Sequence, residues 1–325
     1  MGATMDYRGK RIVVTGGAGF IGSHVCRRLV DLGAAEIVAI DSLRYGDLSN
    51  LAGTPLVKVV KHTLGTDDPA LLSPLLDGAD GLFHLAAEKH NQSIDSPRDV
   101  MRANIEGTQA LYAAAVAVGV PRIVFSSSLY AYGRMVGGPM REDEVPQPKT
   151  VYGISKLTGE HLHAHAAKDG ALAARALRYF FVYGPRQWAG MGYKSVIIKN
   201  AERLLAGQRA LVVGDGAQAL DYVFVDDVVD ATLRALAVPV DDPRHVEVLN
   251  VSSGRAVPVT ELLEALCGVA GKAFDPEHAR ADWTAGTSRA GANANIAASL
   301  GWAPTTSLTK GLRRTWEFVA KREVR

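Results

Sequence analysis

Two short runs carry the side chains best able to do chemistry: Ser126-Ser127-Ser128, and Tyr152-Gly153-Ile154-Ser155-Lys156. On a helix, Tyr152 and Lys156 stand four residues apart and share a face. An ammonium beside a phenol favours its ionised form, so a tyrosine placed this way can take a proton from a substrate hydroxyl near neutral pH. The serines close a strand-like segment, where one hydroxyl can emerge at the carboxyl edge, the edge at which open α/β sheets bind ligands. A tyrosine and a lysine at this spacing also arise by chance on many helices, so the pair alone leaves a packing role open.

A third run, Thr15-Gly16-Gly17-Ala18-Gly19-Phe20-Ile21-Gly22, indicates what stands beside them. A diphosphate needs backbone N–H groups aimed at it and no side chain in the way, and glycine supplies the tight turn, the close approach and the tight packing of helix on strand. This run has a strand before it, a helix after it and Asp41 roughly 20 residues on, the arrangement a dinucleotide requires. A carboxylate there accepts from both hydroxyls of an adenosine ribose and repels a 2′-phosphate, which favours NAD over NADP. The expected cofactor is therefore NAD, with Gly16, Gly19 and Gly22 under its diphosphate and Asp41 on its ribose. Its positive nicotinamide ring would favour the tyrosinate of Tyr152 further.

These residues need a frame. Arg11 to Thr15 reads as a buried strand and Ile21 to Leu32 as a helix stopped by Gly33. Strands follow at Ile37 to Ile40, Leu56 to Lys61, Gly81 to Leu85 and Arg122 to Ser126, with helices between them, the clearest at Val100 to Val118. Another helix spans Val151 to Ala167, before a strand at Ala174 to Arg178. Such alternation implies parallel pairing through right-handed crossovers, an α/β doubly wound Rossmann sheet over residues 1–178. After Tyr183-Gly184-Pro185-Arg186 the order loosens into a helix near Ser195 to Ala206, a strand at Ala210 to Val213 and mixed short segments. A smaller α/β substrate-binding domain over 179–325 is expected, with some segments returning to the first domain and a cleft between the two.

The composition of the 325 residues fits this frame. Thirty-six Lys and Arg against 34 Asp and Glu leave a formal charge of +2, with no clustered basic excess of the kind a nucleic-acid binder shows. The most apolar stretch, Ala110 to Val120, is shorter than the run of about 18 residues that spans a bilayer. No signal-peptide core precedes the first strand, and Cys26 and Cys267 lie far apart in apolar contexts, so a cytoplasmic protein with reduced thiols is expected. Glycine, at 33 residues, exceeds the usual share of about 7% and gathers where one periodicity gives way to another.

Taken together, TGGAGFIG, FHLAA, FSSS followed by Tyr132-Gly133, YGISK, RYFFVYGPRQ and GDGAQALDYVFVDDV resemble, in order and spacing, the extended short-chain dehydrogenases/reductases that act on nucleotide sugars. The resemblance runs from about Lys10 to Trp302 and is closest to UDP-galactose 4-epimerase-like enzymes. It implies that Tyr152 takes the proton from a sugar 4-hydroxyl, that Ser128 hydrogen-bonds that oxygen, and that Lys156 holds the nicotinamide ribose and tunes Tyr152. Hydride passing to NAD and back would give a transient 4-keto sugar. It also implies cofactor contacts from Phe20, Ile21, Leu64, Leu85, Ala86, Ala87, Lys89 and Ser126. On the substrate side it implies His90, Tyr130 and Phe181 beside Ser128 and Tyr152. The partner is a nucleotide-diphosphate sugar, and the apolar stripes of the Val100 to Val118 and Val151 to Ala167 helices permit a homodimer.

Departures narrow the choice of reaction. Related 4,6-dehydratases carry Asp and Glu just after the serine or threonine, where this chain has Leu129 and Tyr130, which favours 4-epimerisation. Phe181 and Leu220 stand where the epimerases usually place an Asn and an Arg on the nucleotide diphosphate. Lys194 falls near an acid/base lysine of the 3,5-epimerases; with Tyr130 it could work at the carbons beside a 4-ketone, or it could simply bind phosphate. Net oxidation or reduction is a further alternative, and a dinucleotide-sensing regulator is a reading from another class, disfavoured by the intact Tyr152 and Lys156. His161 and His165 share a helix face at which the resemblance places no metal, and Asp226-Asp227 fits a helix N-terminus, so no metal is expected.

Overall fold

The computed structural model describes residues 4–170, 172–187 and 194–323. Its core is a parallel sheet built from β1 (Arg11–Thr15), β2 (Glu36–Asp41), β3 (Val57–Lys61), β4 (Gly81–His84), β5 (Arg122–Ser128) and β6 (Ala173–Tyr179). The strands after it are β7 (Phe181–Tyr183), β8 (Leu211–Val213), β9 (Ala219–Leu220), β10 (Tyr222–Phe224) and β11 (Glu247–Val251). Three short ones complete the described set: β12 (Val257–Pro258), β13 (Glu277–Ala279) and β14 (Ser288–Arg289).

The main sheet has seven strands in the order β11-β6-β5-β4-β1-β2-β3. The inner strands are apolar at their centres because both faces of the sheet are covered, while the edge strand β3 carries Lys58 and Lys61 in exposed positions. Ile12, Val14, Ile37, Ala39, Phe83 and Val124 point into one buried layer, while Val13, Val38, Ile40, Leu82 and Ile123 point into the other. Strand order reverses between β1 and β4, so the loops after these two strands part and leave a crevice at their carboxyl ends. The chain returns to the sheet late: β11 pairs with β6, and the helix Val225–Ala237 packs against the helix Phe20–Asp31. The short strands form three small sheets, β7 with β10, β8 with β13, and β12-β9-β14, which stand over the crevice.

One expected helix is interrupted. Instead of running unbroken from Val100 to Val118, the chain forms α-turns at Pro97–Met101, a π-turn at Arg102–Glu106 and an α-helix at Gly107–Ala117. The surplus residue turns Asn104 inward, where its amide oxygen accepts from the Glu88 N–H at 2.8 Å and its amide nitrogen donates to the Ser155 hydroxyl at 3.0 Å.

Candidate active site

The glycine-rich turn joins β1 to the helix Phe20–Asp31. Gly16 takes φ 70°, a left-handed conformation that side chains resist, and a Cβ on Gly22 would collide with the Gly16 carbonyl oxygen. Bare backbone therefore faces the crevice at the N-terminus of a helix, a cradle that any larger side chain would fill. Asp41 ends β2 beside it, buried, accepting from the N–H groups of Ala18 at 3.0 Å and Leu43 at 2.8 Å. Burial raises its carboxyl above the usual range, and the N–H groups of Leu43, Ala18 and Gly19 oppose that rise. Each oxygen keeps lone-pair capacity for a ribose hydroxyl.

Tyr152 and Lys156 sit in the first turns of the helix Val151–Ala167, whose start is fixed by the Thr150 hydroxyl accepting from the Gly153 N–H at 3.0 Å. Gly153 lets that first turn press against the Tyr130 carbonyl oxygen, which a Cβ would overlap. The fit brings the Ser128–Ala131 segment against Tyr152, whose ring centre lies 5.7 Å from that of Tyr130. Lys156 is buried, donates from Nζ to the Ser126 carbonyl oxygen at 2.7 Å and lies 5.8 Å from the Tyr152 ring centre. Burial pulls its ammonium down to about 7, against the pull of Glu160 one turn on. Burial likewise pushes the Tyr152 phenol up to about 12, with the Ser128 hydroxyl opposing and Tyr130 adding to the rise. The pair therefore waits with the phenol protonated, and a positive charge brought beside it would favour release of that proton.

Below the pair lies an ionic support that sequence reasoning missed. Arg178 on β6 grips Glu160 with two hydrogen bonds, 2.9 Å from Nε and 2.7 Å from Nη2, and Ser127 also donates to Glu160. Tyr132 covers the guanidinium at 4.4 Å and donates to Asn250 at 2.7 Å. A buried pair of this kind holds geometry rather than adding much net stability. Glu160 does follow YGISK on the Tyr152–Lys156 face, a signal that could have found it; Arg178 and Asn250 gave none, since sheet register alone brings them in.

Of the residues expected at the site, eighteen meet in one cleft of about 620 Å³ that runs from the glycine turn across the serines to the small sheets. At the cofactor end these are Gly16, Gly19, Phe20, Ile21, Gly22, Asp41, Leu64, Leu85, Ala86, Ala87, Lys89 and Ser126; at the other end, His90, Ser128, Tyr130, Tyr152, Lys156 and Phe181. A space of that size takes an extended ligand or two neighbouring ones. His90 stacks on Tyr130 with ring centres 4.4 Å apart, and its Nδ1 is buried without a hydrogen-bond partner. Burial, then the nearby Arg289, lowers its imidazole, so it meets a ligand uncharged.

Lys194 is brought elsewhere. Its Nζ donates to both carboxylate oxygens of Glu202, at 2.8 and 2.6 Å, and it faces a second depression with Lys199 and Arg203 rather than the described lining of the main cleft. The cause is local: the helix Val196–Leu205 starts at Ser195, and Glu202 reaches back to the lysine. Arg289 and Trp283, which no sequence signal singled out, do line the cleft. The paired aspartates serve the helix they begin: Asp227 accepts from Thr305 and Thr306, and Asp226 pairs with Arg314.

A doubly wound sheet with a glycine cradle at its switch point and a Tyr and Lys at the same mouth defines a dinucleotide-dependent oxidoreductase scaffold. Residues 12–251 match the model of the NAD dependent epimerase/dehydratase family. The chain is 34% identical to UDP-glucose 4-epimerase of Mycolicibacterium smegmatis over 95% of its own length and 98% of that protein's. It is 32% identical to dTDP-glucose 4,6-dehydratase of Streptomyces griseus, covering 94% and 92%. The crystal structure of UDP-glucose 4-epimerase with UDP-glucose from Thermotoga maritima superposes with a TM-score of 0.88 at 32% identity, covering 96% of this chain and 99% of that one. This chain belongs to the NAD dependent epimerase/dehydratase family, and it is an NAD-dependent enzyme of the extended short-chain dehydrogenase/reductase type.

Proposed function

We propose that the enzyme is a nucleotide-sugar 4-epimerase that works through a transient 4-keto sugar. The observation that carries this reading is what surrounds Tyr152. The carboxylates among the described cleft residues are Asp41, Asp47, Glu88 and Asp282, and each already makes a contact of its own, with only the Glu88 Oε2 atom buried without a hydrogen-bond partner. Asp41 holds the glycine turn, Asp47 caps its own turn through Ser49, Glu88 pairs with Arg44 at 2.9 Å, and Asp282 accepts from Thr284. Beside the serines stand Leu129 and Tyr130, neither of them a carboxylate, in place of the Asp and Glu that remove water across carbons 5 and 6 in the dehydratases. Inversion at carbon 4 needs neither.

The glycine cradle, Asp41 and the Lys156 amine fit NAD, which when bound supplies the acceptor that takes hydride from carbon 4 and gives it back. Tyr152 removes the proton of the 4-hydroxyl and later returns it, while the Ser128 hydroxyl hydrogen-bonds the same oxygen. Lys156, held by the Ser126 carbonyl, sets its amine near the phenol, where its charge, whenever it carries its proton, favours the tyrosinate, and it would hold the nicotinamide ribose. His90, Tyr130 and Phe181 wall the space in which the keto sugar turns over. Epimerisation beside the ketone loses support, because Lys194 is bound to Glu202. We further propose a homodimer formed through the Pro97–Ala117 and Val151–Ala167 helices.

Incubation with a panel of nucleotide sugars in deuterated water, followed by NMR, tests the reaction. The expected product is inverted at carbon 4 and carries no solvent deuterium, whereas deuterium at carbon 3 or 5, or a 6-deoxy product, overturns the reading. In the same assay Tyr152→Phe is expected to slow turnover by about 10²–10⁴-fold while NAD stays bound.

A further inference from the structure

The cleft contains a buried cation that no carboxylate among the described residues neutralises. Arg289 closes β14 at 2% exposure, and its Nε and Nη1 are buried without a hydrogen-bond partner. It forms no ion pair among the described residues. What surrounds it is aromatic: the guanidinium carbon lies 4.8 Å from the ring centre of Phe181, 5.9 Å from that of Trp283 and 6.0 Å from that of Tyr130. Stacking on rings returns only part of the cost of taking a charge out of water. A charge held this way waits for an anion that comes and goes.

The position of Arg289 says which anion. β14 runs parallel to β9, and Arg289 is the register partner of Leu220, the place at which the resemblance expects a diphosphate-binding arginine. Two neighbouring parallel strands project register partners on the same side, so a guanidinium lost from one can be supplied by the other. Asp221 fastens the arrangement. Its N–H donates to the Arg289 carbonyl oxygen at 3.0 Å, and its carboxylate accepts from the N–H groups of Gly291 at 3.2 Å, Gly254 at 3.0 Å and Ser253 at 2.6 Å. Tyr130 neighbours both groups, its ring centre 6.0 Å from the Arg289 guanidinium carbon and 5.7 Å from the Tyr152 ring centre, so the cation lies in the same cleft as the phenol.

We propose that Arg289 grips the diphosphate of the substrate from β14, across the strand pair from Leu220, and that the ligand it takes is a nucleoside diphosphate bonded through the Nε and Nη1 donors. This rests on the nucleotide-sugar reading above. Phe181 then has a use where an amide would be expected: its ring packs beside the guanidinium, with its centre 4.8 Å from the guanidinium carbon.

Isothermal titration with UDP, dTDP and GDP, none of which carries a sugar, tests it. The unaltered enzyme is expected to bind at least one of the three, and Arg289→Gln to weaken that one by ten- to a hundred-fold, on the order of what one or two charge-assisted hydrogen bonds contribute. The Leu220→Arg/Arg289→Leu double variant is expected to regain at least about tenfold over Arg289→Leu, because the charge is handed back across the strands. Since an unpaired buried charge adds nothing to the fold, the ligand-free Arg289→Gln protein is expected to melt at or above the unaltered midpoint. Unchanged diphosphate affinity in Arg289→Gln overturns the assignment. A double variant no tighter than Arg289→Leu overturns the exchange between strands. Failure of the unaltered enzyme to bind any of the three sinks the nucleotide-sugar reading itself, and the assignment with it.

Discussion

Lys156 is where burial and chemistry oppose each other most. Its ammonium is pulled from the ordinary 10.5 down to about 7 by burial, so between these values the unfolded chain binds the proton and the folded chain does not. Stability contributed by this group is therefore present above about 10.5 and declines as pH falls towards 7, with a slope approaching about 1.4 kcal/mol per pH unit. Tyr152 acts with the opposite sign, but only above 10, its ordinary value. Urea unfolding of the NAD-free protein between about pH 7.5 and 9.5 is expected to show stability rising with pH, and Lys156→Met is expected to flatten that rise. Equal slopes in the two proteins would show that Lys156 keeps its proton throughout. The side chains legible in the sequence, Tyr152 with Lys156 and the glycines with Asp41, share one property: their spacing along the chain already implies their spacing in space. Arg289 and Arg178 lack it, because Arg289 meets Phe181 and Tyr130 across segments far apart in the chain and Arg178 meets Glu160 only where β6 packs on the preceding helix.

At the scale of elements, the glycine turn is the least forgiving. A Cβ at Gly22 meets the Gly16 carbonyl oxygen and the Gly16 and Gly17 backbone, none of which can swing aside as a side chain could. Gly22→Ala is expected to cost about 1–3 kcal/mol of stability through overpacking. It is also expected to lower NAD affinity at least tenfold, read by calorimetric titration; native affinity in that variant would mean the turn does not set the cofactor's seat. Strand and helix existence was largely readable, since buried parallel strands and helices ended by glycine leave strong local patterns. The π-turn at Arg102–Glu106 was not. Arg-Ala-Asn-Ile-Glu has ordinary helical preferences, and what distorts it is tertiary: the loop at Leu64 and Gly65 presses on Arg102 and Gly107, while Glu88 and Ser155 draw Asn104 inward.

On the scale of the whole molecule, one outer face stands out. Ile94, Met101 and Ile154 are exposed at 68%, 42% and 44% on helices that touch one another. Apolar side chains grouped this way support the proposed homodimer through these helices. Met101→Glu with Ile154→Glu is expected to convert a dimer into a monomer in sedimentation equilibrium without changing NAD binding; an unaltered protein that sediments as a monomer, or a double variant that stays dimeric, rules out pairing through this face. No helix among the described residues is long and apolar enough to cross a membrane, so the patch is not part of such a span. The same face shows what the π-turn accomplishes. Each α-helical residue advances about 100° around the axis, so a single surplus residue resets the phase of everything beyond it. Met101 can then look outward, Asn104 towards Glu88 and the Tyr152 helix, and Leu111 and Ala115 into the sheet. The rod is keyed by one amino acid: removing it would leave the composition almost unchanged and put its three faces out of step with the three surroundings they meet.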